Sequence, residues 1–206
     1  MNNKQKIKGH SKTTFQNLSD KPKYVELVHS GKDYFLRLKE LIDTAEKEIY
    51  LQTYIFENDG TGNLIVNCLK EAVQRKVKVY VLLDAYGSEA LPDSFIQDLL
   101  DHGIQLRFFS PLFSLNNFYL GRRMHHKVVV TDGSMALIGG INIGDKYHGN
   151  MNTEPWLDYA VQLYCTAAED LQKLCSDYFF KKGSSRKIQP VLHSADGARI
   201  GVLQND

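Results

Sequence analysis

The chain is built around the stretch Met124-His-His-Lys-Val-Val-Val-Thr-Asp-Gly-Ser-Met-Ala-Leu-Ile-Gly-Gly-Ile-Asn-Ile-Gly-Asp145. The apolar run Val128 to Val130 predicts a strand, and the pair Asp132-Gly133 is typical of a tight turn. Met135 to Ile138 then predicts the returning strand. The stretch therefore predicts a β-hairpin at the centre of the fold, with polar residues at its open end.

The open end of this hairpin carries the residues suited to chemistry. Side chains two apart share a face of a strand, so His125 and Lys127 are expected to project together, while His126 points into the core. Gly139-Gly140 would let the backbone approach whatever these side chains hold, and Asn142 adds a donor amide. A neutral imidazole, a fixed cation, close backbone and an amide suit the handling of a phosphate ester.

Elements on both sides of the hairpin predict the fold class. Apolar residues alternate between strand and helix spacing, which indicates an α/β layered fold: a mixed, mostly parallel sheet flanked by helices. Thr61 or Asn63 is expected to cap the second helix, and the aromatic side chains of Tyr54, Phe56 and Tyr80 to lie in the core. The predicted strands are 24–28, 48–56, 77–84, 104–109 and 156–164, and the predicted helices are 32–47, 63–75, 93–101 and 167–180.

Composition narrows the class of protein. The 206 residues are 43% hydrophobic and 24% charged with a formal net charge of +1, an ordinary globular balance that can bury a real core. No Lys/Arg run has the density of a nucleic-acid or polybasic membrane patch, and no stretch of about 18 apolar residues predicts a membrane span. Cys68, Cys165 and Cys175 have apolar neighbours and are expected to be buried, reduced thiols in a reducing compartment.

Three regions are expected along the chain. Residues 1–23 are polar and lysine-containing without an apolar signal-peptide core, and they predict a flexible N-terminal arm. Residues 24–183 form the main domain. Residues 184–206 are expected to contain a linker and the start of a further unit, since Ile200 to Leu203 reads as a strand with little chain after it.

The polar residues of the hairpin form a spaced pattern. His125-x-Lys127 is followed after four residues by Asp132, after six more by Gly139-Gly140, and after one more by Asn142. This pattern resembles the signature of the phospholipase D superfamily, the His-x-Lys…Asp motif. Residues 40–88, the stretch Gly-Gly-Ile-Asn-Ile-Gly-Asp-Lys-Tyr, and Pro-Trp-Leu-Asp ending at Asp158 are similar to the first half of bacterial cardiolipin synthases, and the resemblance covers roughly residues 24–180.

The resemblance implies the phospholipase D-like layered fold and transesterification of a phosphodiester through a phosphohistidine. His125 would attack phosphorus, Lys127 would neutralise the phosphoryl oxygens, and Asn142 would donate an amide hydrogen bond to the same oxygens. Asp158 would fix the tautomer of His125 from its other nitrogen. Lysines would do the work of metal ions, so no metal or cofactor is implied.

Other positions of the pattern have mixed interpretations. Asp132 belongs to the signature and so to the implied catalytic residues, yet its parity and turn position indicate a structural role. Gly139, Gly140 and Arg123 are candidates for substrate binding; for Arg123 and its neighbour Arg122, a solvated surface loop is an equal alternative.

Lipid-active members of this superfamily carry two copies of the motif, and the sequence contains one. The chain is therefore expected to be the first half of a longer enzyme or to pair with a second copy of itself. The expected substrate is a phosphatidylglycerol-like phospholipid, at the cytoplasmic inner face of the cell membrane, with peripheral attachment. The alternatives are a single-motif phosphodiesterase or nuclease acting as a dimer, which the near-neutral charge disfavours, and an inactive isolated half-domain.

Overall fold

The computed structural model describes residues 24–110, 123–150, 152–164 and 166–180, and the backbone of the short strands 113–114, 117–118, 193–195 and 198–200. Strands and helices alternate through the first half of the described chain. Seven of the strands, from both halves of the chain, form one sheet. In chain order the elements are β1 (Tyr24–His29), α1 (Lys32–Thr44), β2 (Glu48–Thr53), α2 (Gly60–Gln74), β3 (Lys78–Asp84), α3 (Asp93–Asp101), β4 (Gln105–Phe109), β5 (Phe113–Ser114), β6 (Asn117–Phe118), β7 (Val128–Thr131), β8 (Met135–Gly139), α4 (Asp145–His148), β9 (Tyr159–Tyr164), α5 (Ala167–Phe180), β10 (His193–Ala195) and β11 (Ala198–Ile200).

The sheet has the strand order β1-β9-β8-β7-β2-β3-β4. The predicted α/β class, a mixed sheet flanked by helices, is confirmed. The expectation that parallel pairs predominate is wrong, because β2, β3 and β4 are parallel but the other four neighbouring pairs are antiparallel. The β7–β8 hairpin reverses the chain beside β2, and β9 and β1 then add to its far side in alternating directions.

Two apolar layers cover the two faces of the sheet. Val129 faces the layer formed with α1, α2 and α3, whereas Val128 and Val130 face the layer formed with α5. This is the alternation that the hairpin sequence predicted. Each fully buried side chain of this size contributes about 1.5–3 kcal/mol relative to exposure, so the register of β7 is strongly fixed.

The N-terminus of α2 differs from the prediction. Asp59 caps it by accepting the N–H of Gly62 at 2.8 Å, so the expected cap at Thr61 or Asn63 is wrong. Thr61 instead donates its backbone N–H and its hydroxyl to the Asp145 carboxylate, at 2.8 and 2.6 Å. These bonds tie α2 to α4, a short helix that is not among the predicted elements.

The remaining expectations fall partly on described residues and partly outside them. Cys68 and Cys175 are buried free thiols, as expected, and Cys165 lies outside the described residues. β10 and β11 form an antiparallel pair near the end of the chain, while residues 1–23 and most of 184–206 also lie outside the described part. None of the described helices is long and apolar enough to cross a membrane.

Candidate active site

The chain places several polar residues at one edge of the sheet, where β2 and β3 end and β7 and β9 begin. His125 and Lys127 lie just before β7, and the Nζ atom of Lys127 is 3.1 Å from Nδ1 of His125. The same ammonium donates to the backbone carbonyl of His125 at 3.0 Å. His125 is exposed, whereas Lys127 is only 5% exposed, so the imidazole is presented to solvent with a buried cation behind it.

Burial and mutual charge shift the protonation of this pair. Burial lowers the pKa of Lys127 to about 8, and the Asp158 carboxylate opposes that shift. Although its side chain is exposed, His125 is partly desolvated by its neighbours; this desolvation and the positive charge of Lys127 lower its pKa, with Asp84 acting in the opposite direction. At neutral pH the imidazole is therefore neutral and holds a lone pair on one ring nitrogen, which is the form required of a nucleophile.

Tyr54 belongs to this edge of the sheet. Its ring centroid lies 4.9 Å from that of His125, and Nζ of Lys127 is 5.3 Å from the ring centre. The expectation that Tyr54 is a core residue is therefore wrong, because the chain leaves the sheet after Thr53 and the ring is only half-buried. Phe56 and Tyr80 are buried as predicted.

Asn142 occupies a buried position behind the edge. Its Oδ1 accepts the backbone N–H of Ile55 at 3.0 Å, and its Nδ2 donates to the hydroxyl of Tyr147 at 2.8 Å. The amide therefore joins the segment after β2 to α4. One of its two amide hydrogens is already used inside the protein, so its first role is to hold the scaffold around the site.

The two glycines of the signature are explained by crowding against β9. A Cβ atom on Gly139 would lie 2.4 Å from the carbonyl oxygen of Tyr159 and 2.5 Å from Cα of Ala160. A Cβ on Gly140 would lie 2.2 Å from an oxygen of Asp158. Both positions therefore require glycine because β9 and the Asp158 carboxylate lie against the backbone there.

Asp158 lies at the same edge but meets a different partner from the one expected. Its Oδ1 accepts the N–H of Tyr159 at 2.7 Å, and its charge acts on Lys127. In the part of the chain that the structure describes, no hydrogen bond joins Asp158 to His125. The carboxylate therefore supports the cation of the site in this structure, whereas the sequence predicted that it would orient the imidazole.

Asp132 lies at the opposite end of the hairpin. It takes a left-handed backbone conformation with φ of +54°, followed by Gly133 at +64°. Its carboxylate accepts the backbone N–H groups of Glu46, Lys47 and Glu48 at 2.8 to 2.9 Å. These bonds hold the turn against the start of β2, away from His125, so the catalytic assignment drawn from the signature does not fit and the structural one does.

Arg123 and His126 are both held within the protein. The Nη1 atom of Arg123 donates to the carbonyl of Ser110 at 3.0 Å, and its guanidinium lies 5.5 Å from the ring centre of Tyr86. His126 packs edge-on against Tyr178 of α5 with centroids 5.0 Å apart, on the core side that the alternation predicted. Arg122 lies outside the described residues.

Asp84 is the residue of this region that sequence reasoning missed. It ends β3 fully buried, and its Oδ2 accepts the backbone N–H of Met124 at 2.8 Å. The sequence did contain a signal for it, because Asp84 directly follows the apolar residues Val-Leu-Leu of a buried strand. A carboxylate in such a place needs hydrogen-bond partners from elsewhere in the fold.

The site lies on an open edge. Two grooves of about 600 and 490 Å³ lie elsewhere, and neither is lined by His125 or Lys127. Within the described ranges, no group of three or more His, Cys, Asp or Glu side chains is arranged to hold a metal ion.

Comparisons with known proteins agree with the geometry. The family model described as "Cardiolipin synthase, PLD-like domain" matches residues 38–172. Cardiolipin synthase B of Shigella flexneri is 36% identical over 150 residues, which are 71% of this chain and 36% of that protein. Cardiolipin synthase A of Pseudomonas syringae is 34% identical over 182 residues, 87% of this chain and 37% of that protein. The chain thus spans little more than a third of the length of these curated relatives.

A solved structure shows the same fold. The phospholipase D family member Nuc from Salmonella typhimurium aligns with a TM-score of 0.59 at 22% identity, over 77% of this chain and 95% of that chain.

Proposed function

This chain belongs to the cardiolipin synthase family with a phospholipase D-like domain, and we propose that it contributes one half of an active site that transfers a phosphatidyl group from one alcohol to another. The observation that carries the proposal is the 3.1 Å contact between Nδ1 of His125 and the buried Nζ atom of Lys127, and the lowered pKa of His125 supports it. A phosphodiester is an anion with an electrophilic phosphorus, and this pair offers it a nucleophile and a cation together.

The proposed reaction has two steps. A ring nitrogen of His125 bonds to phosphorus, and the bond from phosphorus to the first alcohol breaks, with its oxygen taking a proton from a second histidine. That second histidine then removes the proton of the incoming alcohol, whose oxygen bonds to phosphorus as the bond to His125 breaks. Lys127 stabilises the phosphoryl oxygens in both steps, because their charge grows when the phosphorus is crowded.

The second histidine is proposed to come from another half-site. Among the described residues, the structure brings one histidine, His125, into contact with Lys127. The partner would be a second copy of the motif in a longer chain, with residues 184–206 as the linker and the start of that unit, or a second copy of this chain. The open edge at His125 is compatible with a partner that completes the walls of the site.

The proposed substrate is a phosphatidylglycerol-like lipid, reached by peripheral attachment to the cytoplasmic inner face of the membrane. Support comes from two large apolar side chains directly before Asp158: Trp156 is 60% exposed and Leu157 is 76% exposed. Apolar side chains of this size at the rim of a site suit contact with the interfacial region of a bilayer.

The test is turnover of vesicles containing phosphatidylglycerol. The chain and its His125→Ala variant are assayed together with His102→Ala, which removes an exposed histidine at the end of α3. Where a second copy of this chain supplies the second histidine, we expect cardiolipin and glycerol from the parent and from His102→Ala, none from His125→Ala, and an acid-labile phosphoryl group on His125 in trapped samples. Full turnover by His125→Ala would refute the mechanism.

A parallel arm of the assay uses single-stranded DNA. Cleavage of DNA with no turnover of lipid would replace the phosphatidyltransferase by the phosphodiesterase alternative. A monomer in solution that turns over neither substrate would show that the isolated half is inactive.

A further inference from the structure

A buried carboxylate lies behind the loop that leads into His125. Asp84 has no exposed surface, and a charge in such a place is costly unless donors satisfy it. Its Oδ2 accepts the backbone N–H of Met124 at 2.8 Å, and its Oδ1 accepts the N–H groups of Tyr86 and Gly87 at 3.0 and 3.1 Å. One carboxylate thus joins the end of β3 to the residue immediately before His125.

The same carboxylate reaches His125 by a second route. The loop that it holds packs on Tyr54: a Cβ on Gly87 would lie 2.2 Å from the carbonyl oxygen of Tyr54, and the hydroxyl of Ser88 donates to that oxygen at 3.1 Å. The ring of Tyr54 in turn lies against the imidazole of His125. Asp84 therefore supports the imidazole of His125 in two ways: through the backbone of Met124 and through the ring of Tyr54.

Asp84 also acts on His125 electrostatically. Lys127 lowers the pKa of His125, and Asp84 is the carboxylate that opposes it. Asp158 acts on Lys127, and Arg123 forms an ion pair with Asp84, with its Nη1 3.7 Å from Oδ1. The remaining charged or titratable groups of this region are Tyr54, with Tyr86 and Glu89, which act on it, and His126 on the far face. Asp84 thus balances part of the lysine charge without touching the ring.

We propose that Asp84 is a positioning residue for His125, which fixes the backbone at Met124 and supplies the negative charge that steadies the ring when it becomes positive. A ring nitrogen that bonds to phosphorus while the other keeps its proton leaves the imidazole with a positive charge, so a fixed negative charge nearby lowers the barrier. This proposal rests on His125 as the proposed nucleophile. Its readouts require no turnover, so its failure and the failure of the proposed function are distinguishable.

The first test compares Asp84→Asn with Asp101→Asn, which removes one exposed carboxylate at the end of α3. The pH titration of the His125 ring and the hydrogen exchange of the Met124 amide are followed by NMR. In Asp84→Asn we expect a lower pKa for His125, because the opposing negative charge is gone, and about tenfold faster exchange at Met124, since bonds to a charged acceptor are roughly twice as strong as neutral ones. Asp101→Asn should change neither.

A second measurement uses the unmodified chain, so it decides the matter even if Asp84→Asn fails to fold. With ¹³C in the carboxyl groups of aspartate, the Asp84 resonance should show an inflection at the pH where His125 titrates, because each group lies in the field of the other. A folded Asp84→Asn variant with the parental His125 pKa, or an Asp84 resonance with no inflection there, would overturn the proposal. Loss of turnover in His125→Ala would stand in either case.

Discussion

At the open end of the β7–β8 hairpin, Lys127 holds a buried ammonium against His125; at the turn end, Asp132 holds a carboxylate against three backbone N–H groups. Both residues belong to one sequence signature. Three backbone N–H groups satisfy the Asp132 carboxylate. The Asp158 carboxylate compensates only part of the desolvation of the Lys127 ammonium, whose pKa falls to about 8. A charge that its own fold satisfies stabilises the structure, and a charge that it leaves partly unsatisfied is available to a ligand.

The largest expected effect is a loss of turnover when the open end of the hairpin is changed at Lys127. Lys127→Met should lower turnover of phosphatidylglycerol vesicles by roughly 10² to 10³, the range found when one preorganised donor to a developing oxyanion is removed. Its free energy of unfolding at pH 7 should not fall, because methionine fills the space without the cost of burying a charge. Urea denaturation and the lipid assay measure the two quantities on one preparation.

The pH dependence of stability provides the control for this variant. The pKa of Lys127 in the folded chain, about 8, lies below the value of 10.5 for a free lysine, so the protonated form opposes folding. That cost is fully present below about pH 8 and disappears as the pH rises towards 10.5. The parent should therefore gain stability relative to Lys127→Met across this window, and a gap that stays constant would mean that the lysine is not desolvated.

The next effect belongs to the turn end. Asp132→Ala should lower the free energy of unfolding by about 1–3 kcal/mol, since three N–H groups lose their acceptor. Asp132→Asn keeps one carbonyl acceptor and should lose less. Both variants should leave the NMR titration of His125 unchanged. A shifted titration would contradict the separation of the two ends, because it would place Asp132 within electrical reach of the site.

The sequence predicted the part of the site that depends on strand alternation. His125 and Lys127 meet, and His126 points to α5, because two-residue periodicity fixes the faces of a strand wherever its neighbours are buried. The turn of Asp132 and Gly133 was equally readable, since it depends on adjacent residues. These features are local, and a single sequence contains them in full.

The contacts that depend on other strands could not be predicted. Asp84 ends a strand and meets Met124 forty positions later, which no local pattern encodes. Asp158 was expected to partner His125, but its charge acts on Lys127 and its Oδ1 accepts the backbone N–H of Tyr159. Tyr54 looked like core because the apolar run of β2 continues through it, although the sheet ends one residue earlier. The sheet order, which brings these residues to one edge, decided each outcome.

A smaller effect is expected from the turn glycine. Gly133 has φ of +64°, and a Cβ there would meet its nearest atom, on Gln172, at an ordinary 3.5 Å. Gly133→Ala should therefore cost about 1–2 kcal/mol of unfolding free energy, from the left-handed backbone alone. Ser134→Ala, one residue further along the same turn, is the matched control in urea denaturation. A loss well above this range would point to a steric clash that the ordinary contact distances around Gly133 do not predict.

The smallest effect concerns the glycine at the open end. A Cβ on Gly140 would meet the Asp158 carboxylate at 2.2 Å, and Gly140→Ala should displace that side chain because its tip can rotate. Lys127 would then lose the negative charge that supports its protonated form, so its pKa should fall below about 8. The shift can be followed by NMR at the Lys127 side chain, with Asp158→Asn as a variant that removes the charge without crowding. If Asp158→Asn moved the pKa of His125 and left that of Lys127 unchanged, the carboxylate would partner the imidazole. The partly unsatisfied charge at the open end of the hairpin would then have to be assigned to His125, because Asp158 would no longer explain the protonation of Lys127.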